Sequence, residues 1–246
     1  MPVLKLLSQL PLSVLYVLSD CLYVLVYHFW RFRRQVSLSN LRNSFPDKSA
    51  AELDLIARQA YRNACDMIAE VLKGAVISEH ELRRRVRILN ADAVTRFTQA
   101  GQSVIMLLSH HCNWEWLLLA GCLEPGVNVD PVYKPLRVSA VDHFLLRARS
   151  RFGGNPLPAR RFLVEVLKRR GAARVFAIVA DQTPRHDEEK HWTRFLNQDT
   201  AFFIGADRIA RVGGIGLGSG VAGGGDGDID SGLLARALRH GAGHRL

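Results

Sequence analysis

The chain opens on a stretch with no polar period. Residues 10–30 (LPLSVLYVLSDCLYVLVYHFW) are almost all apolar, and the basic run RFRR at 31–34 follows directly. As a helix this stretch reaches roughly 30 Å, about one hydrocarbon thickness. Tyr27, Phe29 and Trp30 stand beside the basic run, as an interfacial belt does. Asp20 in mid-segment costs roughly 3 kcal/mol at a bilayer centre, so a spanning helix, a tilted or half-immersed helix and a buried core helix all fit. A cleaved leader fits less well, because the basic residues follow the apolar run and no A-x-A site is present. With that run on its carboxyl side, the positive-inside rule puts the rest of the chain in the cytoplasm.

Beyond residue 36 the pattern becomes periodic. Residues 47–74 repeat apolar side chains at helical intervals, among them Leu53, Ile56, Ala57, Ala60, Tyr61, Ala64 and Ile68. Ser49 and Glu52 have capping-box spacing at the start of this helix, and Gly74 closes it. Ser78 and Glu81 repeat the capping signal before a short basic helix with Arg83, Arg84 and Arg85. Apolar runs then alternate between strand and helix lengths. SVIMLLS, VNVDPVY and VFAIVAD read as strands; WEWLLLAGCL, AVDHFLLRARSRF and RRFLVEVLKRR read as helices. Strands separated by helices predict an α/β fold, a mainly parallel sheet flanked by helices, preceded by the N-terminal membrane helix. The division expected is an anchor over 1–36, an α/β domain over 37–211 and a tail over 212–246.

The tail departs in composition from everything before it. From Val212 on there is no aromatic residue and no lysine, while glycine is dense. Its overlapping G-x-G pairs lack the strand–turn–helix context of a dinucleotide site, and GGGDGD is too short for a calcium-binding repeat. A flexible linker and a reading-frame shift near residue 212 both account for the change.

Charge and cysteine content narrow the function. The net charge of +10 implies an acidic partner: a membrane, a protein or nucleic acid. No zinc-finger spacing, helix-turn-helix pattern or RNA-binding aromatic motif supports nucleic acid. Cys21, Cys65, Cys112 and Cys122 form no C-x-x-C pair, which fits a reducing compartment.

Chemistry concentrates in LLSHHCNWEW, residues 107–116. On one continuous helix His110 and Glu115 would differ by about 140° and share no face. At a strand–turn–helix junction, Asn113 is the N-cap, Glu115 lies in the first helical turn, and its carboxylate can fold back toward the His110 imidazole. An imidazole oriented by a carboxylate is a general base. Asp181 and Gln182 close a second strand, and open α/β sheets gather their sites at the carboxyl ends of strands. Cys112 as a nucleophile is disfavoured because adjacent residues on a turn point apart. Zinc on His110, His111 and Glu115 is disfavoured because the helical H-E-x-x-H geometry and a third ligand are missing. No metal and no cofactor are expected.

SHHCNWEW resembles the H-x4-[DE] motif of glycerolipid acyltransferases. The ordered set RFRRQVSLSNLRNSFPDKS, HHCNWEW, VYKPL, RARSRFG, VADQTP and HWTRFLNQDTAFFIGADRIAR is similar to the lipid A biosynthesis (late) acyltransferases of Gram-negative bacteria, over about residues 10–211. The resemblance implies that His110 is the base and Glu115 its partner, acting on a hydroxyl of a lipid A precursor that attacks an acyl thioester on acyl carrier protein. It implies substrate-binding roles for Asn113, Tyr133, Lys134, Asp181 and Gln182. Arg147 and Arg151, expected on one helix face, suit phosphates or the developing oxyanion. The expected place is the cytoplasmic face of the inner membrane, in contact with its lipids. A different lipid acceptor preserves the same chemistry. A membrane-binding protein without activity is the alternative from another class.

Overall fold

The computed structural model describes residues 2–219 except 170, 185 and 187. These residues form two compact units. One comprises Gly74–Gln182 with the described residues from Phe203 onward; the other comprises Pro2–Lys73 with Thr183–Phe202. Helices and strands are numbered along the whole chain.

The first unit is built on a five-stranded sheet: β1 (Val104–Leu108), β2 (Val129–Tyr133), β3 (Leu157–Pro158), β4 (Val175–Val179) and β7 (Gly216–Ser219). The spatial order is β3-β2-β4-β1-β7 and every pairing is parallel. Parallel neighbours need crossovers, and these contain α7 (Trp114–Gly121), α8 (Ser139–Arg149) and α9 (Phe162–Lys168); α5 (Glu79–Arg85) and α6 (Asp92–Gln99) precede β1, and α10 (Gly205–Gly213) precedes β7. The register Ile105↔Phe176 and Leu107↔Ile178 puts these side chains on one face. There they pack with Phe162 and Val166 of α9 and with Ala206 and Ala210 of α10. On the other face Val129 and Ala177 meet Leu118 of α7. That second face is incompletely filled: an apolar cavity of about 190 Å³ is lined by Met106, Leu108, Leu117 and Ala177, among others. At the amino ends of the strands Asp130 is fully buried and accepts from Arg169 at 2.7 Å and from both Nε and Nη2 of Arg174.

Mixed α/β architecture with a mainly parallel sheet is thus as the alternating pattern predicts. The start of the segment expected as a tail belongs to the fold. Gly214 ends α10 in the left-handed conformation (φ 64°) that glycine adopts without a Cβ clash, and Gly216–Ser219 pairs with β1. The remainder of that segment, 220–246, lies outside the described residues.

The second unit holds α1 (Pro2–Gln9), α2 (Leu12–Tyr23), a π-helical turn over Val24–Phe29, α3 (Arg34–Ser44), α4 (Ala50–Gly74) and the two-stranded pair β5 (Lys190–Phe195) and β6 (Gln198–Phe203). Pro11, with no N–H to give, separates α1 from α2. One helix near the N-terminus, Leu12–Phe29, is long and apolar enough to cross a membrane, with a mean hydropathy of 1.6. Only 22% of it is buried, which disfavours the reading as a core helix. Its buried side, Tyr23 and Tyr27, packs on Ala57 and Cys65 of α4, while Val14, Val17, Leu18, Val24, Leu25 and Phe29 are exposed. Asp20 has a cation near it: Arg62 Nε of α4 lies 3.9 Å from its carboxylate. The capping box at α4 closes as expected, with Ser49 N–H donating to Glu52 at 2.9 Å and Glu52 N–H donating to Ser49 Oγ at 3.3 Å.

Candidate active site

The site begins where β1 ends. After Leu108 the chain turns through Cys112, whose φ of 50° is uncommon for a residue with a Cβ, and enters α7 at Asn113. The Asn113 side chain accepts from Trp116 N–H at 2.9 Å, which is the N-cap expected from the sequence. His110 lies exposed on this turn, and the Trp114 ring meets it edge-on at 4.5 Å between centroids.

β4 runs beside β1 in register, Leu108↔Val179, so Asp181 leaves the sheet next to His110. Its carboxylate holds His110 at two points. Oδ2 accepts from the His110 backbone N–H at 2.8 Å, and Oδ1 lies 2.6 Å from the ring Nδ1. Burial pushes the Asp181 carboxyl up, but the bonds from the His110 ring and backbone outweigh it and hold the group below the usual carboxylate range. Asp181 is therefore ionised at neutral pH and can only accept. Nδ1 must then carry the proton, which leaves the Nε2 lone pair free to act as a base. The Gln182 amide nitrogen sits 3.3 Å from that lone pair.

Glu115 is placed otherwise than expected. The carboxylate within hydrogen-bonding distance of the His110 ring is Asp181, whereas Glu115 is buried and clasped by Arg149 of α8, Nε to Oε2 at 2.8 Å and Nη2 to Oε1 at 2.5 Å. This corrects the His110–Glu115 pairing. The first turn of α7 points Glu115 toward α8, where the desolvated guanidinium of Arg149 needs a carboxylate. Burial lowers the Arg149 pKa, and the Glu115 bonds and charge more than restore it. The Arg149 guanidinium also lies 6.0 Å from the Tyr133 ring at the end of β2.

The remaining expected residues spread out. Lys134 and Arg147 are exposed. Arg151 lies past the end of α8, so it shares no helix face with Arg147, and it donates to the Gly74 carbonyl at 2.9 Å. The structure thus brings together His110, Asp181 and Gln182, with Asn113 shaping the turn. Arg149 was missed although it lies inside RARSRFG: its role depends on how α7 packs against α8, 34 positions from Glu115.

An imidazole held by a carboxylate, open to solvent at the carboxyl ends of adjacent parallel strands, stands where open α/β folds gather their sites. The profile of the bacterial lipid A biosynthesis acyltransferases matches residues 1–214. The chain belongs to that family of acyltransferases of lipid A biosynthesis. The match ends within two residues of the point where the composition changes. Among curated proteins none matches the chain.

Proposed function

We propose that the protein transfers a fatty acyl group from acyl carrier protein to a hydroxyl of a lipid A precursor, with His110 as general base. Nε2 of His110 takes the hydroxyl proton, and the alkoxide attacks the thioester carbonyl. The tetrahedral intermediate collapses with cleavage of the C–S bond, and the departing thiolate takes the proton back from the imidazolium. No covalent enzyme intermediate forms. Gln182 yields its place at Nε2 to the acceptor hydroxyl. Asp181 is a positioning residue: it fixes the ring and its tautomer, and stabilises the imidazolium. Glu115 acts one step further away, by fixing Arg149 and with it the contact of α8 to α7.

The observation that carries this reading is the two-point grip of Asp181 on His110. The apolar cavity behind Leu108, two residues upstream of His110, suits part of the donor's alkyl chain. Tyr133, Lys134, Arg147 and Arg151 are assigned to the acceptor and its phosphates. The outward-facing apolar side of α2 attaches the chain to the inner membrane at its cytoplasmic face, where lipid A precursors and acidic acyl carrier protein meet a chain of net charge +10.

The test is acyl transfer by the full chain in phospholipid vesicles, read by mass spectrometry, with the donor supplied on acyl carrier protein. His110→Ala loses about 10²- to 10⁴-fold in rate and His111→Ala retains most of it. Equal loss in both folded variants removes His110 as sole base. Equal rates with an acyl thioester of a small carrier remove acyl carrier protein as the required donor. If the unaltered chain transfers no acyl group while its fold is intact, the reading as an anchored protein without activity stands instead.

A further inference from the structure

We infer that the hairpin β5–β6 is a second membrane-contacting element, whose tip, Phe195 and Leu196 with Trp192, enters the interfacial layer of a phospholipid bilayer beside the N-terminal apolar helix. The inference rests on the proposed membrane attachment and is independent of the transfer chemistry.

The turn itself is unusual. Leu196 and Asn197 connect the strands with φ of 50° and 61°, the left-handed pair of a type I′ turn, where Asn-Gly is favoured and a branched side chain is sterically opposed. The sequence nevertheless puts leucine there, and its side chain is 44% exposed. Nearby, Trp192 is 61% and Phe195 52% exposed. Three positions apart on one strand, they lie on opposite faces. A protein seated against one face would leave the other in water. A medium that surrounds the tip covers both faces and the turn.

The hairpin belongs to the same compact unit as the N-terminal apolar helix. The turn is tied to the carboxyl end of α3: Asn197 Nδ2 donates to the Ser44 carbonyl at 3.4 Å, Gln198 Nε2 to Ser44 Oγ at 3.3 Å, and Asn43 Nδ2 to Gln198 Oε1 at 3.3 Å. The other end of α3, about 16 Å away along its axis, follows the exposed Phe29 and Trp30 that end the apolar segment and the exposed Phe32 of the basic run. Tryptophan at a membrane–water boundary is an interfacial signature, and phenylalanine and leucine accompany it on apolar faces that lie in the interface. Near the tip Arg194 on β5 is offset by Asp199 on β6, and Glu188 and Glu189 lie at the opposite end of the hairpin. Insertion is therefore apolar in origin and insensitive to salt.

The test uses the full chain in vesicles of phosphatidylethanolamine and phosphatidylglycerol, with ordinary or dibrominated acyl chains. Tryptophan emission is compared between the unaltered protein and Trp192→Phe, so that the difference isolates Trp192 from Trp30, Trp114 and Trp116. At a depth of about 5–10 Å brominated chains quench the Trp192 component by about half, at low and high salt alike. Leu196→Asp abolishes that quenching and leaves co-sedimentation with vesicles intact; aspartate tolerates the left-handed turn better than leucine, so the hairpin itself is kept. An unquenched Trp192 in a protein that still co-sediments overturns the hairpin contact and leaves the anchor standing. A chain that does not co-sediment overturns both. Trp192 shielding that appears only with rising protein concentration, or only with added acyl carrier protein, assigns the tip to a second copy or to the carrier and also overturns the proposal.

Discussion

The two ends of one sheet treat charge in opposite ways. At the amino ends of the strands Asp130 is fully buried, and both its oxygens accept from arginines, Oδ2 from Arg169 and Arg174 and Oδ1 from Arg174. At the carboxyl ends Asp181 and His110 hold each other in the open, and the ring's second nitrogen lies 3.3 Å from the Gln182 amide nitrogen. A buried carboxylate with both oxygens engaged by guanidinium groups is committed to the fold, and its removal leaves Arg174 without its carboxylate and Arg169 with that of Glu165. An exposed imidazole whose proton is fixed on one nitrogen keeps the other for a substrate. Charge that is completed internally holds the fold, and charge left half-completed at the strand ends is available for reaction.

That contrast is broken most sharply by exchanging the readouts. His110→Ala loses about 10²- to 10⁴-fold in transfer rate and no more than about 1 kcal/mol of stability, because the ring is exposed and its pair with Asp181 is screened by solvent. Asp130→Ala loses about 3–5 kcal/mol of stability, measured by denaturant unfolding, while the folded fraction transfers at the original rate. A large rate loss in folded Asp130→Ala would erase the distinction between the two ends.

A smaller effect is expected from acid. The folded pKa of Asp181 is depressed, so its contribution to stability is complete above the unfolded value of about 3.9 and is lost as pH falls through the lower folded value. The melting-temperature difference between the unaltered chain and Asp181→Asn thus shrinks as pH falls through the carboxylate range. It corresponds to less than about 1 kcal/mol, since solvent screens a pair this exposed. The smallest perturbation uses the thiols. Burial, with the Asp130 charge adding to it, pushes Cys122 up to about 12, whereas Cys112 is exposed on the turn. Mild alkylation of the native protein followed by peptide mapping labels Cys112 and spares Cys122. Equal labelling would show the amino end of the sheet to be open.

What the sequence made legible was mostly local. Ser49–Glu52 and Asn113 cap helices as their spacing predicts, because a cap is decided within four residues. Asp181 and Gln182 were legible as strand-end residues. That Asp181 rather than Glu115 grips His110 follows from β4 lying beside β1, a neighbour relation across 71 positions that periodicity does not encode. Arg149 was hidden between two arginines chosen by helical spacing, and α8 ends before that spacing completes. The hairpin also escaped notice: HWTRFLNQDTAFF is exposed along most of β5, so no buried face imposed an alternation, and its turn is Leu-Asn instead of Asn-Gly.

The claim that the base is oriented by Asp181, with Glu115 holding Arg149, is tested most directly by the pH–rate profiles of acyl transfer for Asp181→Asn and Glu115→Gln. The account predicts that Asp181→Asn loses about 10²- to 10⁴-fold in kcat and alters the pH dependence of the rate, because the imidazole loses its fixed tautomer. Glu115→Gln instead lowers stability by about 3–5 kcal/mol through the unpaired Arg149, and its folded fraction keeps a rate and pH profile close to those of the unaltered chain. Folded Glu115→Gln without activity, beside Asp181→Asn with an ordinary rate, would contradict it.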